Sequence, residues 1–315
     1  MMSVSRKFLI IISLLIVLTI SGSVITVLYI DDSIARYGGL FPCSAPRSPT
    51  SIQEIANLAR IEFCSRGTRL VGTLVMPDGE GPFPLLIFVP SPGAIYATRS
   101  TRDMLVYFFK QAGYALFFPD QRGVGDSAGF FPQFIVEGEV SENCADLIQL
   151  QADDLLASAY FLRNLQEINP EQIGFIGWDQ AGWIIPLAAS QSNISSFSVI
   201  VSGATVSVGV QNFWEHITEG YIPSIEHEAL SAELATFDGN PGFDPRTSIM
   251  NMTNPGLWLW GDKDPIIPSR ESKSILEEII QDYNKFFTII YSLNNGHNWF
   301  YNDLIIDWLN NQTMN

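Results

Sequence analysis

The sequence predicts an α/β protein with a mainly parallel sheet covered on both faces, and three observations predict it. Strand-like and helix-like runs alternate from about residue 60 to the C-terminus, the order that a layered α/β domain requires. The strand-like runs "FPLLIFVPS", "YALFFPD", "SFSVIVSG" and "GLWLWG" are almost continuously apolar, as suits strands buried on both faces. With 315 residues, 47% of them hydrophobic, the chain can bury one large core or two small ones.

Taken in order, the first element stands apart from that pattern. Phe8 to Ile30 is a run of 23 uncharged residues, preceded by Arg6 and Lys7 and followed by Asp31 and Asp32. At 1.5 Å per residue it can cross a hydrocarbon core about 30 Å thick. The flanking charges predict residues 1–30 as a transmembrane signal anchor, with a cytoplasmic N-terminus and the main domain extracytoplasmic. A cleaved signal peptide ending near Ser21 and Ser23, giving a secreted protein, is the competing reading. Residues 31–54 are rich in Ser, Pro and Gly and read as a stalk or linker.

The fold domain is expected over 55–315. "ARIEFCS" and "TRLVGTLVMP" read as a hairpin joined at Arg66 and Gly67, followed by the strand in "FPLLIFVPS". "TRDMLVYFFKQAG" is an amphipathic helix closed by Gly113, and "YALFFPD" is the next strand. Then come the helix "ADLIQLQADDLLASAYFLRNL", the strand "QIGFIGW", the helix "AGWIIPLAAS" and the strand "SFSVIVSG". About 204–255 is less regular and is expected to form a cap. Its Trp214, Tyr221 and Phe237 suit either a satellite core or a pocket lining. The chain resumes with "GLWLWG", the helix "SRESKSILEEIIQDY", the strand in "KFFTIIYS" and the closing helix "NWFYNDLIIDWLNN".

Charge and motif content narrow the function. Acidic residues outnumber basic ones 33 to 17, for a net charge of −16, and no basic cluster interleaved with aromatics is present, so nucleic acid is not an expected partner. There is no phosphate-binding glycine loop and no cluster with metal-ligand spacing, so neither a cofactor nor a metal is implied. The three cysteines are Cys43, Cys64 and Cys144. Cys43 and Cys64 are the preferred disulfide pair in an oxidising compartment, with three unrelated buried thiols as the alternative.

Four motifs then fall in one order: "DQRGVGDSAG" at 120–129, "GWDQAGWIIPLAAS" at 177–190, "WGDKDPIIP" at 260–268 and "NNGHNWF" at 294–300. Together they resemble the α/β-hydrolases, especially the prolyl-oligopeptidase-like peptidases and related esterases. The resemblance implies an α/β-hydrolase fold and a site built from a nucleophile, an acid and a histidine, in that order. Those places are taken by Asp179, Asp264 and His297. The G-x-x-D spacing from Gly261 selects Asp264 over Asp262, while His216 and His227 fall in the cap region.

The sequence departs from the family at three places. Asp179 stands where the resemblance implies a nucleophilic serine. Ala181 stands at the second glycine of the elbow. In "PSPGA" Pro92, which has no N–H to donate, aligns with an oxyanion donor, and a one-residue shift would put Gly93 there instead. Gln180, directly after Asp179, completes the oxyanion and substrate loop. Two functions follow for a small-molecule or peptide substrate. The chain is expected to be a membrane-anchored hydrolase using Asp179 as a carboxylate nucleophile, as in the haloalkane dehalogenases and epoxide hydrolases. The alternative is a catalytically inactive homologue serving as a binding or scaffolding protein.

Overall fold

A computed structural model describes residues 58–89, 99–221, 227–297 and 302–313. The expected anchor, the stalk, Pro92 and Gly93 lie outside the described residues. Within them, no helix is long and apolar enough to cross a membrane.

The domain opens with strands β1 (Leu58–Ser65) and β2 (Thr68–Val75), paired antiparallel. Arg66 and Gly67 join them with φ of 45° and 75°, the left-handed geometry that a two-residue turn needs to match strand twist. Then follow β3 (Phe83–Val89), α1 (Arg99–Gln111) and β4 (Ala115–Pro119). A small hairpin of β5 (Ile135–Val136) and β6 (Glu139–Val140) precedes the long helix α2 (Cys144–Leu162). Next are β7 (Ile168–Trp178), α3 (Ala181–Gln191) and β8 (Phe197–Val201).

The region expected to be irregular instead holds three helices, α4 (Val208–Ile217), α5 (His227–Leu234) and α6 (Arg246–Asn251). The chain then completes the sheet with β9 (Gly256–Gly261), α7 (Ser269–Tyr283) and β10 (Phe287–Ser292), and ends in α8 (Asn302–Thr313).

The eight-stranded sheet has the order β1-β2-β4-β3-β7-β8-β9-β10. All neighbours from β4 to β10 are parallel, and the β1–β2 and β2–β4 pairs at one edge are antiparallel. Alternation along each strand serves two cores. Leu85, Ile87 and Phe175 pack with α2 and α3 on one face, while Leu86, Phe88 and Ile176 pack with α1 and α8 on the other. A separate cluster of Trp214, Leu230 and Leu234 forms inside the cap. Trp214 therefore belongs to a satellite core, whereas Tyr221 is 74% exposed.

The loop "DQRGVGDSAG" is a braced turn between β4 and the insertion ahead of α2. Arg122, 4% exposed, donates through Nε and Nη2 to Asp154 of α2 and through Nη2 to the Ser65 carbonyl. Asp120 Oδ2 accepts from the Asp126 amide at 3.0 Å, and a Cβ on Gly125 would stand 2.6 Å from that oxygen. The glycine is thus required by the acid it passes. Cys64 is disulfide-bonded and Cys144 is a buried free thiol. The preferred partner, Cys43, lies outside the described residues.

Candidate active site

Parallel strands deliver their loops to one sheet edge, and the residues after β7, β9 and β10 meet there. Asp179 caps β7 with a φ of 53°, a left-handed conformation uncommon outside glycine. Its amide donates to the Val201 carbonyl at 3.2 Å and its own carbonyl accepts from Gly182 at 2.9 Å, so the turn is held from both sides.

Two glycines make room for it. A Cβ on Gly177 would lie 2.6 Å from Ala181 Cβ and 2.8 Å from Val89 Cβ, so Gly177 accommodates the methyl group of Ala181. A Cβ on Gly182 would lie 2.6 Å from both the amide nitrogen and the carbonyl oxygen of Ala204. Gln180 is buried at the start of α3, and its carbonyl accepts from Trp183 and Ile184.

The acid and the histidine form a fixed pair. His297 Nδ1 lies 3.0 Å from each carboxylate oxygen of Asp264, so an Nδ1–H donated to Asp264 leaves the lone pair of the neutral ring on Nε2. Asp264 is 2% exposed, and its Oδ1 also accepts from the amides of Ile266 and Ile267 at 2.9 Å. Trp214 of α4 donates Nε1 to the Asp264 carbonyl at 3.1 Å, which ties the cap to the acid loop. Asp262 has a different role, accepting from the Asn294 amide across the β9 and β10 loops.

Sequence reasoning missed two residues of the cap. Gln211 Nε2 donates to Asp179 Oδ1 at 3.3 Å, and Glu215, one helical turn along α4, acts electrostatically on both Asp179 and His297. A signal was available in the spacing of Gln211 and Glu215, which places them on one helical face. His216 is exposed, and His227 meets Glu271 at 3.3 Å, a contact between α5 and α7. Among the described residues, no group of three or more His, Cys, Asp or Glu could hold a metal ion.

The electrostatics favour retained protons. Burial pushes the Asp179 carboxyl above its ordinary value of 3.8, and His297 and Gln211 offset this only in part. Burial pulls His297 down, but the Asp264 hydrogen bond and the negative charges of Asp264, Asp179 and Glu215 leave it above 6.5. The two directions agree: Asp179 and His297 each hold a proton to a higher pH than the free group would.

No protein-family model matches the chain. A Synechocystis sp. protein named as a carboxymethylenebutenolidase is 25% identical over 136 residues, 42% of this chain and 53% of that protein. The match thus spans about half the length of that relative. Acetyl xylan esterase 1 from a Thermoanaerobacterium species is similar in structure, with a TM-score of 0.61, 15% identity and coverage of 90% of this chain and 92% of that one. The α/β-hydrolase GrgF from a Penicillium species gives a TM-score of 0.58 and 15% identity, covering 82% of this chain and 99% of that one. With the strand order and the sheet-edge site described above, these likenesses show that the chain has the α/β-hydrolase fold.

Proposed function

We propose that the protein is a hydrolase that uses Asp179 as a carboxylate nucleophile and His297, oriented by Asp264, as the base that activates water. The observation that carries this reading is Asp179 itself. It occupies a left-handed strand-to-helix turn, within the electrostatic reach of a histidine already paired to an acid. The hydrolase names among the relatives support the reaction class.

In the first step, an Asp179 oxygen attacks an electrophilic carbon, and the leaving group departs with the bonding pair, giving an alkyl ester. In the second, His297 Nε2 takes a proton from water and the hydroxide attacks the ester carbonyl carbon. The alkoxide then leaves with the proton from His297. Asp179 is restored with one oxygen drawn from solvent.

His297→Gln tests the division of labour. Glutamine cannot take the proton from water, so the first step proceeds and the second stops. Mass spectrometry after exposure to a panel of haloalkanes and epoxides is expected to show the added alkyl group on the Asp179 peptide. An adduct on any other residue would assign the nucleophile elsewhere.

One observation favours the second reading, a binding protein that has lost the chemistry. His297 is hydrogen-bonded to the buried Asp264 and its protonated form is favoured by that pairing, and such a pair can persist for structural reasons.

The proposal places this domain outside a membrane, anchored through residues 8–30 with 31–54 as a stalk. Arg6 and Lys7 on one flank and Asp31 and Asp32 on the other support that orientation. Fractionation followed by N-terminal sequencing is expected to find the intact N-terminus in membranes. A soluble form beginning near Val24 would replace the anchor with secretion.

A further inference from the structure

Among the described residues the sheet ends at two edges, β1 and β10, and they are built differently. On β1, Arg60 and Glu62 pair with Asp126 and Arg69, the kind of charge that keeps an edge from meeting another strand. β10 carries neither a charged residue nor a proline, and none of its residues is buried, whereas every residue of its neighbour β9 is. Apolar side chains bracket it: Tyr283, Phe286 and Leu293 are 54%, 76% and 69% exposed. The carbonyls of Phe286 and Ser292 accept from the amides of Gly256 and Asp262. Alternation along the strand therefore turns the N–H and C=O groups of Phe287, Ile289 and Tyr291 outward. No strand among the described residues takes them up, and an edge in that state is a template for one more strand.

We infer that this strand is the β10 of a second copy, so that two chains join antiparallel about a two-fold axis at Ile290 and form one continuous sheet. That register sets Ile289 opposite Tyr291 and Phe287 opposite Leu293 as hydrogen-bonded pairs, with Thr288 beside Ser292, and it opposes no like charges. Charge favours a second copy over an unrelated strand. A chain of net charge −16 repels its own copy unless the surfaces that meet are matched in sign. The helix α7, which crosses from β9 to β10, has Arg270 and Lys273 in its first half and Glu277, Glu278 and Asp282 in its second. The acid of the first half, Glu271, is turned to Ser231. The two-fold axis lays the two α7 helices on one face in opposite directions, which brings the basic half of each towards the acidic half of the other. The contact is independent of the chemistry at Asp179.

The test is the association state of the full chain in detergent at low salt, by sedimentation equilibrium, together with amide hydrogen exchange of β10. A dimer in the micromolar range is expected, with protection of the Ile289 and Tyr291 amides rising with protein concentration. Ile289→Pro removes an N–H that β9 does not use, so the fold accommodates it, and it is expected to weaken the dimer at least about hundredfold. Ile290→Cys meets its own copy across a pair whose Cα atoms lie about 4.5 Å apart, within disulfide reach. Mild oxidation is expected to give a covalent dimer that reduction reverses. Arg270→Glu is expected to weaken association several-fold, and Arg163→Glu, the same charge change at the exposed end of α2, to leave it unchanged. A monomer throughout the micromolar range, a dimer that Ile289→Pro or Arg270→Glu leaves intact, or one that Ile290→Cys does not cross-link would each overturn the proposal. So would β10 amides protected equally at every concentration in a monomer, since a segment of the same chain would then cover the edge. Should Ile289→Pro fail to fold, cross-linking and exchange decide alone.

Discussion

Asp179→Asn is expected to lower turnover by at least about four orders of magnitude while leaving the domain folded. Removing a nucleophile from a working constellation costs more than removing any positioning group, because no residual step can substitute for the covalent one. The fold tolerates the change, since asparagine matches aspartate in shape and still offers an oxygen to Gln211 Nε2.

The variant also carries a pH signature. The folded pKa of His297 lies above 6.5, so its contribution to stability is fully present below pH 6.5 and is lost as pH rises through the folded value. Asp179, raised from 3.8, acts in the same sense, because the fold favours its protonated form. Wild-type stability therefore falls towards alkaline pH, where asparagine at 179 removes a desolvated charge. Urea denaturation is expected to show Asp179→Asn as the more stable protein at alkaline pH. Unchanged turnover would end the nucleophile reading, and a variant that loses its fold would mean that the turn depends on the acid itself.

Arg122→Leu is expected to cost about 3–5 kcal/mol of stability, the usual consequence of stripping one partner from a buried ion pair. Arg122 is 4% exposed and meets Asp154 through two nitrogens as well as the Ser65 carbonyl. Burial already pushes the Asp154 carboxyl upward, and the Arg122 contacts, with a smaller contribution from a Ser65 hydrogen bond, pull it back in part. Without the guanidinium, the acid is driven further towards its neutral form. The variant should therefore recover stability as pH falls and Asp154 takes up a proton. Denaturation at pH 5 and pH 8 checks both parts, and a loss of the same size at the two values would show that packing rather than charge accounts for it.

Those two residues also show which parts of the molecule were legible in the sequence. Arg122 and Asp179 sit in local motifs, where glycine spacing declares the turn before any tertiary contact is known. The helix Ser269–Tyr283 and the turn at Arg66 and Gly67 were legible for the same reason, since their apolar period and turn residues lie within one short window. Asp264 and His297 were placed by the family resemblance and the G-x-x-D spacing, and their order fits parallel strands that bring successive loops to one edge.

The helices of the cap were not legible in this way. In "VGVQNFWEHI", Gly209 and the β-branched residues weaken the helical signal, and the helix is secured by partners distant in sequence. A Cβ on Gly209 would stand 2.1 Å from the Asn240 carbonyl oxygen, and Trp214 reaches across to Asp264. Gln211 was one polar residue among many until the fold carried α4 over the sheet edge to Asp179. No local window contains that approach.

The most direct measurement of the central claim is turnover in water enriched in the heavy oxygen isotope, followed by mass analysis of the Asp179 peptide. A carboxylate nucleophile gives its own oxygen to the first product and regains one from solvent when water attacks the ester at the carboxylate carbon. The predicted result is heavy oxygen accumulating in the Asp179 side chain over successive turnovers, and in no other acidic residue. Sustained turnover with an unlabelled Asp179 would contradict the account, because water would then have attacked the substrate directly.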